Sequence, residues 1–205
     1  MPEAPSLKLE RLRPRLGEPL SLTVPAGCTC FVRGPSGAGK SLLLRAVADL
    51  DPNEGEVFLG TLRRSGVPAH RWRRLAGYLP AESHWWEDRV GDHHDRWSVS
   101  LLERLGFGAE VLGWQVARLS TGERQRLALA RLLANEPAAL LLDEPVANLD
   151  SANADRVVAV IRDYQENRRI PILWVSHGSE NETTPCRGTL WLKKGRTVKL
   201  EAAWN

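Results

Sequence analysis

Apolar and polar positions alternate from the start of the chain. Leu7, Leu9 and Leu12, then Leu20, Leu22 and Val24, follow the near-two-residue repeat of edge strands with one buried face. Pro25-Ala26-Gly27 turns the chain into Thr29 to Val32, a short continuous apolar run. Ser41 to Leu50 then carries Leu and Ala at helical spacing. Asp51-Pro52-Asn53-Glu54-Gly55 is a dense turn signal, and Glu56 to Leu59 and Gly77-Tyr78-Leu79-Pro80 read as further strands, the second running to a sheet edge. From Trp97 to Arg118 a helical pattern of Leu101, Leu102, Leu105 and Val111 is broken by Gly106, Gly108 and Gly113, as in a small helical subdomain. Ser120 with Glu123 three residues on forms a capping box, and Leu127, Leu129, Ala130, Leu132 and Leu133 continue the helix it opens. Ala138 to Leu142 and Ile170 to Val175 are uninterrupted apolar runs, the pattern of parallel strands buried on both faces. The pattern predicts one α/β domain over residues 1–205: a mostly parallel sheet core of approximately 1–80 and 136–205, an N-terminal antiparallel β subdomain, and an inserted helical subdomain of approximately 81–135.

Between the Thr29 run and the following helix lies Gly34-Pro35-Ser36-Gly37-Ala38-Gly39-Lys40-Ser41, which fits the phosphate-loop pattern G-x-x-x-x-G-K-[ST] at every position. Its glycines let successive N–H groups and the helix N-terminus face a phosphate. In such a loop Lys40 reaches the β- and γ-phosphates of ATP and the Ser41 hydroxyl ligates Mg²⁺. Asp143-Glu144 ends one buried run, where ligands sit in open α/β sheets. Asp143 there can hold Mg²⁺ and Glu144 can polarise an attacking water. His177 ends the other run and is set at the same edge. Ser120 and the backbone of Gly122 form a second anion-binding helix start.

A net charge of +3 is too small a surplus to argue for nucleic acid. No run approaches the ~20 apolar residues of a membrane span, and Met1 to Arg15 lacks the apolar core of a signal peptide, so a cytoplasmic chain is expected. Of the three cysteines, Cys28 and Cys30 are expected as buried thiols on one face. Arg63, Arg64, Arg71, Arg73 and Arg74 around His70 and Trp72 read as a solvated face or as a contact for lipid headgroups or nucleic acid. His84, His93 and His94 lie among carboxylates without H-x-x-x-H or H-E-x-x-H register and are expected as solvated neighbours of Trp85 and Trp86. That tryptophan pair is either core or a partner surface.

The order of the motifs resembles the ATPase subunit of ATP-binding cassette transporters over nearly the whole chain. Gly34 to Ser41 matches the Walker A loop, Leu119 to Glu123 (LSTGE) the signature, Leu140 to Glu144 the Walker B strand, Ala147 to Asp150 the D-loop, and His177 the switch histidine. The resemblance implies a P-loop NTPase fold of ABC type hydrolysing ATP, with Lys40, Glu144 as general base, and His177 on the γ-phosphate. It further implies a homodimer in the ATP-bound state, in which Ser120 and Gly122 of one copy close on the phosphate held by Lys40 of the other. An integral-membrane permease in a separate chain would hold the subunit on the inner face of the cell membrane, with no nucleic acid expected. Residues 151–177 are similar to the short bacterial ATPase subunit of an iron exporter. A mechanical regulator of a membrane partner, or a cassette ATPase of DNA repair or ribosome work, shares the same core. Three positions depart from the family: Ala81, followed by Glu82, where a glutamine is usual; Thr121 for the first signature glycine; and Asn148 for an alanine. The family's base-stacking aromatic has no counterpart between Leu7 and Gly27, leaving Arg13 or Arg15 as candidates.

Overall fold

The computed structural model describes residues 4–176, 186–194, 196–202 and 204. The chain runs β1 (Leu7–Pro14), β2 (Leu20–Val24), β3 (Thr29–Arg33), α1 (Lys40–Val47), β4 (Asn53–Leu59), β5 (Leu62–Arg63), α2 (Ala69–Leu75) and β6 (Ala76–Leu79). It continues through α3 (Val99–Arg104), α4 (Thr121–Leu133), β7 (Ala139–Asp143), α5 (Ser151–Arg168), β8 (Ile172–Val175), β9 (Arg187–Lys193) and β10 (Arg196–Ala202). Four strands form an antiparallel sheet in the order β2-β1-β4-β5, so β1 is central rather than at an edge, and its Leu7, Leu9 and Leu12 are buried. The larger sheet has the order β10-β9-β3-β8-β7-β6, parallel from β9 to β6 with β10 antiparallel to β9. β6 is its edge strand.

The continuous apolar runs are explained by burial on both faces. Cys30, Val32, Leu141, Leu173 and Val175 point into a core shared with Leu43, Leu44 and Val47 of α1 and with Leu7, Leu9 and Val57 of the small sheet. Their neighbours Phe31, Leu140, Leu142, Ile172 and Trp174 point the other way, onto Leu127, Leu129 and Leu133 of α4 and Val157, Val160 and Ile161 of α5. The helix of the phosphate loop and the helix of the signature therefore cover opposite faces of one sheet. Register aligns the strand ends: Val32 pairs with Val175, and Val175 with Asp143. At ~4.8 Å per strand, Asp143 lies roughly 10 Å across the sheet from the residue that feeds the phosphate loop. No helix among the described residues is long and apolar enough to cross a membrane.

The cysteine expectation needs correction. Thr29 of β3 pairs with Arg187 of β9, so the residues just before them are neighbours, and Cys28 and Cys186 are joined as a disulfide with Cα atoms 4.7 Å apart. Cys30 alone is a buried thiol, its pKa pushed up to about 12 by burial.

The arginine cluster divides between structure and solvent. Glu56 accepts from Arg63 Nε at 2.6 Å, from Val57 N–H at 3.0 Å and from Ser65 N–H at 3.3 Å, and buried Arg64 donates to Asn53 Oδ1 at 2.6 Å and Gly55 O at 2.8 Å. Arg71 and Arg74 remain exposed. Burial works to raise the Glu56 pKa, but the hydrogen bonds from Ser65, Arg63 and Val57 outweigh it and bring it to about 2. Its folded pKa lies below the ~4.3 of an unfolded glutamate, so this network stabilises fully above pH ~4.3 and its contribution fades as pH falls toward 2. Glu56→Gln is expected to lower the melting temperature by several degrees at pH 7 and by progressively less below pH 4. Thermal melts from pH 3 to 7 measure this, and an unchanged gap at pH 3 would contradict it.

Candidate functional site

The phosphate loop is shaped by its neighbours before any ligand enters. Gly34 has φ 149, and a Cβ there would lie 2.2 Å from the Leu192 carbonyl oxygen of β9, so the first loop position admits no side chain. Gly39, at φ 92, precedes α1, and no side chain caps that helix. The N–H groups of its first turn are left for an anion. Lys40 is only 6% exposed, and its Nζ donates to Gly34 O at 2.9 Å and Pro35 O at 3.2 Å, which folds the cation onto the loop. Pro35, Ser36, Gly37 and Ser41 are exposed, while Ala38 anchors the loop in the core.

Asp143 closes β7 with 3% exposure. Its Oδ2 accepts from the Tyr78 hydroxyl at 3.0 Å, whereas its Oδ1 is buried without a hydrogen-bond partner. Burial, then the Asp143 charge, pushes the Tyr78 pKa well above its ordinary value, so the phenol is a donor. A buried carboxylate oxygen left unmatched is costly unless a cation takes it, and a hard oxygen donor is what Mg²⁺ binds. The donor set fits that ion. Glu144 follows with φ 51, its N–H donating to Val175 O at 3.2 Å. Beyond β6, Pro80 O accepts from Gln125 Nε2 of α4 at 3.0 Å, and Ala81 and Glu82 are exposed.

The expected capping box is present: Ser120 Oγ accepts from Glu123 N–H at 3.3 Å and the Ser120 N–H donates to Glu123 Oε2 at 2.8 Å. A Cβ on Gly122 would meet Leu149 Cδ2 at 3.0 Å and Asn148 O at 3.5 Å, so the signature abuts its own D-loop. Asn148 sits at φ 65, a left-handed conformation that asparagine tolerates better than alanine, which accounts for that departure. Asp150 then caps α5, accepting from Asn153 N–H at 2.9 Å. Lys40, Ser41, Asp143 and Glu144 share one sheet edge, whereas Ser120 and Gly122 open a helix on the far face. His177 lies outside the described residues.

The tryptophan segment is neither simple core nor simple surface. Trp85 is half-buried and Trp86 is 65% exposed, and the guanidinium of Arg131 from α4 lies 4.4 and 4.7 Å from their ring centres. Burial lowers the Arg131 pKa to about 10. His93 is buried rather than solvated as its sequence neighbours suggest. Its Nε2 accepts from the Trp86 and Glu87 N–H groups at 3.0 and 2.9 Å, and Nδ1–H donates to Arg89 O at 2.9 Å. Both ring nitrogens are thus committed to holding the loop.

Arg13 faces Glu54 at 3.5 Å on the surface and Arg15 is exposed, while Leu16, 75% exposed, lies beside the loop helix over a depression lined by Leu20, Gly39, Leu42 and Thr197. Leu16, Tyr78 and Gln125 adjoin the candidate site without belonging to any of the sequence motifs. Tyr78 and Gln125 sit within a strand and a helix whose patterns signal backbone structure alone, and Leu16 has no periodic apolar partner.

A family model described as ABC transporter matches residues 18–147. The aliphatic sulfonates import ATP-binding protein SsuB 2 of Paracoccus denitrificans is 34% identical over 189 residues, 88% of this chain and 73% of that protein. The molybdenum import ATP-binding protein ModC of Mesorhizobium japonicum is 32% identical over 193 residues, 84% of this chain; the chain spans about half of that relative, 51% of its length. A dimeric ATP-binding cassette in a post-hydrolysis state bound to ADP and Pi superposes with a TM-score of 0.83 at 20% identity, over 97% of this chain and 99% of that one. The chain belongs to the ABC transporter family and folds as that family's ATP-hydrolysing domain.

Proposed function

We propose that the chain is the nucleotide-binding subunit that powers a separate integral-membrane permease, working as a homodimer closed by ATP on the inner face of the cell membrane. One observation carries this reading. The loop around Lys40 and the orphaned Asp143 Oδ1 share a sheet edge, while the second anion-binding helix start, at Ser120 and Gly122, lies on the opposite face, where it suits a nucleotide held by another copy. In the reaction, the N–H groups of 34–41 take the phosphates, and Lys40 exchanges the carbonyls of Gly34 and Pro35 for β- and γ-phosphate oxygens. Ser41 and Asp143 would hold Mg²⁺, which would supply charge neutralisation for the phosphates. Glu144 accepts the proton of the attacking water, His177 contacts the γ-phosphate, and the partner copy's signature covers it. The base rests on Leu16, an aliphatic surface, so selectivity among nucleobases is weak. Residues 81–135 form the helical part that the permease moves.

Cargo and direction belong to the permease. The stretch 151–177 supports metal export, iron in particular, whereas the relatives named above are importers of sulfonates and molybdenum. Trp85 and Trp86, held outward by His93 and Arg131, are the docking surface. Trp85→Ala with Trp86→Ala is expected to leave ATP binding within about twofold and to cut recovery with solubilised membranes at least about tenfold, the scale of losing a hot-spot aromatic. Undiminished membrane recovery would overturn this, as would stoichiometric zinc or iron binding abolished by changing His84, His93 and His94. A non-transporting regulator would bind membranes equally but move no solute into vesicles.

A further inference from the structure

We propose that Tyr78 is a positioning residue for the metal: its hydroxyl holds Asp143 through Oδ2 and thereby leaves Oδ1 as the oxygen available to Mg²⁺. The inference rests on the reading of Asp143 as a metal ligand. Three observations join in it. The Tyr78 hydroxyl lies 3.0 Å from Asp143 Oδ2, across the β6–β7 pairing in which Tyr78 is in register with Leu141. Oδ1 of the same carboxylate is buried and unmatched. Arg45 from α1, fixed by two 2.7 Å bonds to Asp51, is near enough for its charge to act on the phenol. An ionised carboxylate only accepts, so the phenol proton is directed to Asp143. Tyr78 thus ties the strand that leads to Ala81 to the carboxylate that ends β7. Outer partners of this kind fix the orientation of a metal ligand, and their loss typically weakens metal binding ten- to a hundredfold. The strand that carries no glutamine at 81 therefore still touches the metal site, three residues earlier, through Tyr78.

The test measures Mn²⁺ binding to the ATP complex by electron paramagnetic resonance, in a Glu144→Gln background where nothing turns over. Tyr78→Phe is expected to weaken Mn²⁺ about tenfold while ATP binding without metal stays within twofold. Adding Tyr78→Phe to Asp143→Asn is expected to weaken Mn²⁺ no further, since the tyrosine acts through that carboxylate. If Tyr78→Phe lowers the melting temperature enough to disturb the fold, Tyr78→Gln, which keeps a donor, is measured in its place and is expected within threefold of the parent. Unchanged Mn²⁺ affinity in Tyr78→Phe, with affinity lost in Asp143→Asn, would overturn the role of Tyr78 alone, as would equal loss of metal-free ATP binding. Unchanged affinity in Asp143→Asn would overturn the metal reading itself.

Discussion

Glu144→Gln is expected to lower ATP turnover by roughly 10²- to 10⁴-fold while ATP binding is retained, because the amide keeps the shape of the carboxylate but cannot take the water proton. That span corresponds to about 3–5 kcal/mol on the barrier. Glu144 contributes nothing apolar to the core. Its backbone stands at φ 51 with the N–H on Val175 O, at the exit from β7. The loss should fall on phosphate release in single-turnover experiments with equilibrium nucleotide binding preserved. Turnover within about tenfold of the parent would assign the base elsewhere.

Ala81→Gln is expected to raise basal turnover by roughly ten- to a hundredfold. A hydrogen bond in a charged site contributes ~1.5–3 kcal/mol, and Ala81 has no oxygen to offer one. The segment that would carry the new amide is already in place, since Pro80 O is held by Gln125 of the signature helix at 3.0 Å and residue 81 is exposed beyond it. Glu82→Ala should change turnover little, because adjacent side chains in an extended segment face opposite ways. The unsubstituted subunit is then a slow hydrolase whose rate rises when the permease orders this segment. Steady-state phosphate release from the three chains decides the matter: abolition by Glu82→Ala with no gain from Ala81→Gln would make Glu82 the substitute.

What the sequence announced is what is local. The phosphate loop, the capping box at Ser120 and the two-sided apolar runs ending at Asp143 and Val175 each depend on residues within one turn or strand, and each appears where its pattern placed it. What it concealed depends on strand order. Tyr78 meets Asp143 only because β6 pairs with β7, and Cys28 meets Cys186 only because β3 pairs with β9 across 158 residues. β1 looked like an edge because alternation reports one solvated face and is silent on how many strands flank it. The burial of His93 is hidden for a related reason. Its polar neighbours suggested solvent, yet its two nitrogens satisfy three backbone groups of the loop that presents Trp86, so burial removes no unmet polar atom.

The central claim, that two copies complete each other's nucleotide site, is tested most directly by light scattering on the Glu144→Gln chain. With ATP and Mg²⁺ the mass is expected to double from 22.8 kDa, and with ADP or no nucleotide to remain single, since the signature of one copy closes only on a γ-phosphate held by the other. The unsubstituted chain should stay largely monomeric, because a closed dimer lasts only while ATP bridges it. A Glu144→Gln chain that binds ATP yet keeps the single mass at high concentration would contradict the account.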